Sequence, residues 1–178
     1  EYSTLRDVTE RNRQSLIQSL QIVAREYENE SISSAVLYEL ILPRVRLSKL
    51  DAVFSFQFVQ VLHEAGMESF NSFIFHDKLF QNMAPIMNSL SHAESTCFGV
   101  FLSHTLVQLS LWRKRSVFEE FCERNVVFKV PAGQDSKCAT HVEFLNISYN
   151  WHIRLTKAAL RYLSGRDYAT IRNTLEVL

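Results

Sequence analysis

The histidines and cysteines are the side chains in this sequence that most readily carry out chemistry, and there are six and three of them. The segment His63-Glu64-Ala65-Gly66-Met67 begins like HExxH, in which two histidines one helical turn apart bind zinc and the glutamate acts as a general base. Met67 stands where the second histidine is required. The segment therefore predicts a histidine–glutamate pair at a helix end rather than a zinc site.

The other reactive groups do not combine into a catalytic arrangement either. His76 and Asp77 are adjacent, so on a helix their side chains diverge by about 100°, and we expect a pair at the surface. Cys97 lies in an apolar stretch and is expected in the core. The sequence has no CxxC pair, no glycine-rich phosphate loop and no GxSxG elbow. We predict that the chain is not an enzyme and has no catalytic residue, metal, cofactor or small-molecule substrate.

Three clusters of basic residues are the stronger candidates for function. Arg154, Lys157 and Arg161 share a face by their spacing of three and seven residues. The other two clusters are expected at a turn between helices and at a helix end. They consist of Arg44, Arg46 and Lys49, and of Arg113, Lys114 and Arg115. Each could offset a helix dipole or lie in solvent, or could contact RNA phosphate or an acidic partner, and both interpretations stay open.

Composition restricts the elements that can position these clusters. The chain has 178 residues, of which 47% are hydrophobic, and this excludes a disordered segment. Four glycines and three prolines are too few for a turn-rich β-sandwich and favour helices. The net charge is zero, so the chain as a whole has no electrostatic footprint for nucleic acid. No run of about 18 apolar residues predicts a membrane span.

Helical periodicity divides the chain into two parts: a long, charged amphipathic helix over 1–30 and a set of shorter helices over 31–178. We expect Pro43 to end one helix. Ser48 with Asp51 is expected to form a capping box that starts the next helix. This next helix is apolar nearly all round and is therefore expected at the centre of the core. Gly99 inside a long helix predicts the close approach of a neighbouring helix. Residues 124–139 are expected to form a loop without a partner strand.

The last stretch predicts two helices joined by a very short turn. Leu155, Ala159 and Tyr162 recur on one face, Gly165 is expected to close the helix in the left-handed conformation, and Asp167 to cap the next helix. Two amphipathic helices joined in this way must pack against each other, and each keeps apolar surface to bury elsewhere. Four side chains around this turn are expected to be mainly structural, with direct partner contact as the alternative: Trp151, His152, Arg172 and Asn173.

The same stretch, WH-x-RLTKA-x4-LSGRDY-x2-IRN-x-L, resembles a segment of the family of THO complex subunit two, the large scaffold subunit of a nuclear assembly that couples transcription to mRNA packaging and export. A second match is Leu42–Val53, followed by three phenylalanines, and a third is Phe98–Leu102, followed by Trp112. The matches cover about 31–178 in the family's order. Asp167 stands where the family has glutamate.

This resemblance implies the fold and the partners. It implies an all-α, right-handed α-α helical array of the HEAT-like or MIF4G-like kind, part of a larger non-catalytic scaffold in the nucleus. The implied partners are other THO subunits and the DEAD-box RNA helicase of mRNA export, with RNA reached indirectly and no membrane. The Pro-Arg turn, with Pro43 and Asp51, and Gly165 belong to the matching motifs. An RNA-binding helical module is the alternative.

Overall fold

The computed structural model describes residues 10–12, 14, 15, 18, 32–66, 69–123, 125, 128–130 and 137–178. The described residues between 10 and 18 are helical, and the rest of the helix predicted over 1–30 lies outside the described residues. The elements are α1 (Ser33–Ala35), a π-helical segment (Val36–Ile41), α2 (Leu42–Val45), α3 (Lys49–Ala65), α4 (Ser72–Gln81), α5 (Met83–Ser89), α6 (His92–Trp112), α7 (Arg115–Phe121), β1 (Lys129–Val130), β2 (Lys137–Cys138), α8 (His141–Leu163) and α9 (Tyr168–Val177). The described part of the chain is all-α apart from the two short strands.

Pro43 does not end a helix, contrary to the expectation from the sequence. It lies at the start of α2, directly after the π-helical segment. The backbone N–H of Leu42 donates to the carbonyl of Leu37, five residues earlier, as in a π-helix. Pro43 has no N–H, but it lies in the first turn of α2, where a backbone N–H would have no acceptor within the helix. The chain can therefore stay helical through the proline.

The helix α3 begins after its cap Ser48, as its sequence predicts, with one half of the expected capping box. The hydroxyl of Ser48 accepts a hydrogen bond from the backbone N–H of Asp51 at 3.0 Å, and Gly66 ends the helix with φ of 65°. The helix is not buried all round, however. Leu50 is 79% exposed and Phe54 is 50% exposed, so one side of α3 has no cover among the described residues.

Gly99 marks the closest approach of two helices, as predicted. A Cβ atom at this position would lie 2.5 Å from the carbonyl oxygen of Glu176 in α9. Across the same contact the hydroxyl of Thr96 donates to the carboxylate of Glu176 at 3.1 Å. The helix α6 starts with the capping box of Ser91 and Glu94 and packs against both α3 and α9.

A short antiparallel ladder replaces part of the loop that was expected over 124–139. Lys129 pairs with Cys138, and Val130 pairs with Lys137. The side-chain amide of Asn71, the cap of α4, donates to the carbonyl of Lys129 at 2.8 Å. The expectation that this segment has no partner strand was wrong, because the partner lies seven residues further along the same segment.

The turn between α8 and α9 is short, but it is not built on a left-handed glycine. Ser164 ends α8 in the right-handed region, and the N–H of Gly165 donates to the carbonyl of Tyr162 at 3.1 Å. Among the described residues Gly66 is the glycine with positive φ. Asp167 caps α9 as predicted: it accepts from the N–H of Thr170 at 2.7 Å and also from the Thr170 hydroxyl. The hydrogen bond from the hydroxyl first, and then that from the N–H, lower the pKa of its carboxyl group.

The core extends through the described helices from the π-helical segment to α9. It is rich in aromatic rings, and its large, fully buried side chains include Trp112, Trp151, Phe118, Phe128 and Phe144. The ring of Trp151 stacks on Phe80 with centroids 5.7 Å apart. Large rings bury much apolar area at little cost in side-chain entropy, so this cluster fixes α8 against α4.

Candidate interaction surfaces

His63 is a buried structural group. Its Nδ1 lies 2.8 Å from the hydroxyl of Ser72, and its Nε2 lies 3.0 Å from the carbonyl oxygen of Phe121. Burial lowers its pKa to about 4, although the hydrogen bond to Phe121 opposes this shift. The expected pairing with Glu64 was wrong, because both ring nitrogens of His63 already have partners on other elements.

His76 is also buried and does not form the surface pair with Asp77 that the sequence suggested. Its Nδ1 donates to the carbonyl of Ser72 at 2.7 Å, one turn earlier. Burial lowers its pKa to about 4, and a charge on His63 would lower it further. Both imidazoles are therefore neutral near pH 7 and lie against aromatic rings of the core.

The cysteines and carboxylates do not form a metal site in the described part of the chain. Cys97 and Cys122 are buried, and Cys138 is partly exposed. Burial raises the pKa of the Cys122 thiol, which keeps it protonated and unreactive. No three of the described histidines, cysteines and acidic residues lie close enough to hold a metal ion. None of the helices among these residues is long and apolar enough to cross a membrane.

The first basic cluster lies at the turn between α2 and α3, and its two arginines are held in place. The guanidinium of Arg44 lies 3.0 Å from the carboxylate of Asp51 and 4.3 Å from the ring centroid of Phe54. Arg46 donates to the hydroxyl of Ser89 at 2.8 Å, and Lys49 is exposed. Asp51 therefore serves both the start of α3 and the orientation of Arg44.

Exposed apolar side chains border this cluster, and reasoning from the sequence missed them. Leu47 and Leu50 are 74% and 79% exposed, and Phe54 projects beside Arg44. No local pattern marks them, because a helix that is apolar on every side is normally buried. The turn and the start of α3 thus combine fixed cations with uncovered apolar surface.

The second basic cluster lies at the turn between α6 and α7. Arg115 forms an exposed ion pair with Glu119 at 2.7 Å, which raises the pKa of its guanidinium. The carbonyl of Arg113 lies 2.9 Å from Nε2 of His141, so the turn is tied to the start of α8. Lys114 is exposed. One of the three cations is thus paired within its own helix.

The third basic cluster lies on α8 and is anchored by Asp77 of α4. One oxygen of this carboxylate is 2.5 Å from the guanidinium of Arg154 and accepts the indole N–H of Trp151 at 3.0 Å. Lys157 and Arg161 follow on the exposed side of the helix. Asp77 therefore joins a buried indole to a surface cation across two helices.

Of the remaining motif residues, Asn173 contacts a neighbouring segment, whereas Arg172 and His152 contact residues of their own helices. The side-chain amide of Asn173 donates to the carbonyl of Leu90, which follows the last residue of α5, at 3.0 Å. This hydrogen bond joins α9 to the residue after α5. Arg172 lies 5.9 Å from the ring centroid of Tyr168, and Nδ1 of His152 lies 2.8 Å from the carbonyl of Ser148 in its own helix. The three clusters remain at separate places on the surface.

Comparison with known proteins gives one family. The whole chain, residues 1–178, matches the model of the family described as transcription factor/nuclear export subunit protein 2. The chain is 27% identical over 165 residues to THO complex subunit 2 of Homo sapiens, which covers 88% of the chain, and 29% identical over 153 residues to THO complex subunit 2 of Arabidopsis thaliana, which covers 83% of it. It spans about a tenth of the length of these relatives, 10% and 8%.

Proposed function

The chain belongs to the family of transcription factor/nuclear export subunit protein 2, and from this premise we propose that it is a non-catalytic scaffold segment of a nuclear THO complex. Its role is to organise other THO subunits and to support the packaging and export of mRNA during transcription. Its helices form one segment of a right-handed HEAT-like or MIF4G-like array that continues in the rest of the subunit.

The observation that carries this proposal is that the titratable groups best suited to catalysis are buried, whereas the surface carries cations and apolar side chains. The buried titratable groups, His63, His76 and Cys122, are enclosed in the core, whereas cations and apolar side chains lie outside at helix ends and turns. A surface of this kind suits contacts between proteins, because fixed charges select a partner and uncovered apolar area supplies affinity. The packing of α6 against both α3 and α9 is compatible with successive layers of an array.

The finer part of the proposal is the contact with the DEAD-box helicase of mRNA export. An array that touches both lobes of such a helicase at one spacing favours one helicase conformation over the others. The clusters at Arg44, Arg46 and Lys49 and at Arg113, Lys114 and Arg115 are the residues we assign to this contact. They lie at turns, where side chains can reach a partner without disturbing the helices.

A titration of the helicase against the assembled complex tests this assignment, at low and at moderate salt. Two variants reverse exposed charges without breaking an ion pair in the described part of the chain, Lys49→Glu and Lys114→Glu. Arg166→Glu is the matched control, because it makes the same change of charge at a different turn. We expect weaker helicase binding for one of the first two variants and unchanged binding for the control. Equal affinity for all three would remove the helicase contact from these turns.

The alternative is an RNA-binding helical module, and it is favoured by the exposed cations alone. Binding to phosphates releases counterions, so the affinity for RNA would fall steeply as salt is raised. The net charge of zero speaks against it. The same titration with single-stranded RNA in place of the helicase separates the two functions.

A further inference from the structure

The outward side of α8 carries an apolar stripe that no described residue covers. At about 100° per residue, Val142, Tyr149, Ile153 and Leu160 fall within about 40° of one another around the helix. Val142 is 67% exposed, Tyr149 68% and Leu160 56%, and Ile153 is half-buried. From the first to the last of them the stripe runs for about 27 Å, at 1.5 Å per residue.

A row of cations lies beside this stripe. Arg154, Lys157 and Arg161 fall within about 60° of one another on the same helix. We call the stripe and the row together the α8 outer face. The opposite side of α8 carries Trp151 and Leu155, which are buried in the core. The helix therefore uses one side for the fold and leaves a second amphipathic side uncovered.

The carboxylates near this row are engaged elsewhere. Glu143 and Asp167 cap the first turns of α8 and α9, and Glu176 accepts from Thr96. Asp77 is shared between Trp151 and Arg154. Arg154 is paired with Asp77, whereas no described carboxylate forms an ion pair with Lys157 or Arg161, so these two cations of the row keep an uncompensated charge.

We propose that the α8 outer face is the docking surface for an acidic amphipathic helix of another subunit of the complex. The inference rests on the proposed function and names the partner chemistry of one of its clusters. A straight stripe of this length fits the apolar side of a second helix, and cations spaced at three and seven residues fit carboxylates at helical spacing. RNA is the weaker occupant, because a phosphate backbone makes no use of an apolar stripe.

The test is site-specific crosslinking in the reconstituted complex that contains the full-length subunit. Tyr149 and Leu160 are replaced, one at a time, by benzoylphenylalanine, and the crosslinked peptides are sequenced by mass spectrometry. We expect both positions to crosslink to one segment of another subunit, with carboxylates three or four residues apart beside an apolar stripe. Crosslinks only within the same polypeptide, crosslinks only to RNA, or no crosslinks at either position would overturn the inference.

Charge reversal provides the second measurement. The double variant Lys157→Glu/Arg161→Glu should weaken the binding of the crosslinked subunit by about tenfold or more, which corresponds to about 1.4 kcal/mol. Carboxylate-to-lysine changes in the partner should restore it, and Lys129→Glu, which makes the same change of charge in β1 outside this face, should leave it within about twofold. Unchanged binding for the double variant would overturn the docking inference alone, whereas failure of the wild-type subunit to join the complex would overturn the proposed function.

Discussion

His63 and His76 show how single residues in this chain serve the fold rather than chemistry. Both contact Ser72 at the start of α4, His63 through the hydroxyl and His76 through the carbonyl. Each is 2% exposed, and burial lowers the pKa of each to about 4 from 6.5. A proton on either ring would place an unpaired charge among aromatic side chains.

The two histidines should make the fold sensitive to mild acid. Because their pKa is lower in the folded than in the unfolded state, the unfolded state binds more protons, and the free energy of unfolding should fall as the pH drops from about 6.5 towards about 4. Urea unfolding at several pH values in this window measures the effect. His76→Asn keeps an N–H donor for Ser72 and does not titrate, so the free energy of unfolding of this variant should fall less over the same pH window. Unfolding that is independent of pH in this window would contradict the prediction.

Gly99 is the residue at which a single methyl group should matter most. A Cβ atom there would lie 2.5 Å from the carbonyl oxygen of Glu176, which is backbone and cannot rotate away. Overpacking of this kind costs about 1–3 kcal/mol, whereas replacing glycine by alanine in a helix interior gains about 1 kcal/mol. We therefore expect Gly99→Val to destabilise the protein clearly and Gly99→Ala to do so less.

Faster proteolysis within α9 would show that the loss in Gly99→Val lies at the contact with α6. Ser110 is the control, since Ser110→Val adds a similar side chain at an exposed position of the same helix, eleven residues further along. Equal stability of the two variants would contradict the close approach.

At the scale of elements, Asp77 is the link between α4 and α8. Its two donors differ in kind: the indole N–H of Trp151 is part of a fully buried ring, and the guanidinium of Arg154 lies at the surface. Removal of an acceptor from a buried donor costs about 1–3 kcal/mol, whereas an exposed ion pair contributes about 0–1 kcal/mol. The hydrogen bond to Trp151 therefore accounts for most of the stabilisation.

Two substitutions of Asp77 separate these contributions. Asp77→Asn keeps an oxygen for the indole and removes the charge, so we expect a loss of less than about 1 kcal/mol in the free energy of unfolding. Asp77→Ala removes both and should lose about 1–3 kcal/mol. Urea unfolding of both variants, with tryptophan fluorescence as the signal, provides the comparison. A loss for Asp77→Asn as large as for Asp77→Ala would mean that the ion pair is the main contribution.

On the scale of the whole molecule, apolar surface is uncovered at the turn before α3 and on α9. Leu47 and Leu50 project at the turn before α3, and Tyr168 and Leu175 project from α9. Uncovered apolar area of this kind drives association. The net charge of zero offers little repulsion against it.

The isolated 178-residue chain should therefore self-associate as its concentration rises. Sedimentation velocity over a range of concentrations measures this. Leu47→Ser/Leu50→Ser and Tyr168→Ser should each reduce association with little change in stability, because the side chains are exposed. Phe56→Ser is the contrasting variant, since Phe56 is buried and its loss should unfold the chain. A monomer at all concentrations would contradict the prediction.

The sequence predicted those features that depend on neighbouring residues. The caps at Ser48 and Asp167 follow from side chains within one turn of the helix start, and the close approach at Gly99 follows from a residue that has no other reason to lie in a helix. The burial of His76 and the ladder at Lys129 depend on partners distant along the chain or on packing, which local patterns do not record. The clusters were found from charge, but not the leucines at 47 and 50, because exposure is decided by what packs next to a helix.

The position of the π-helical segment before Pro43 also determines which way the side chains of that segment point relative to α2. A bulge of one extra residue can migrate along a helix when backbone hydrogen bonds exchange one after another. Here migration towards α2 would need a hydrogen bond from the nitrogen of Pro43, which carries no hydrogen. The proline thus acts as a stop for the bulge. The buried side chains of Leu37 and Ile41 therefore keep one orientation relative to the helices that follow, because a shift of the bulge towards α2 would rotate them away from the core.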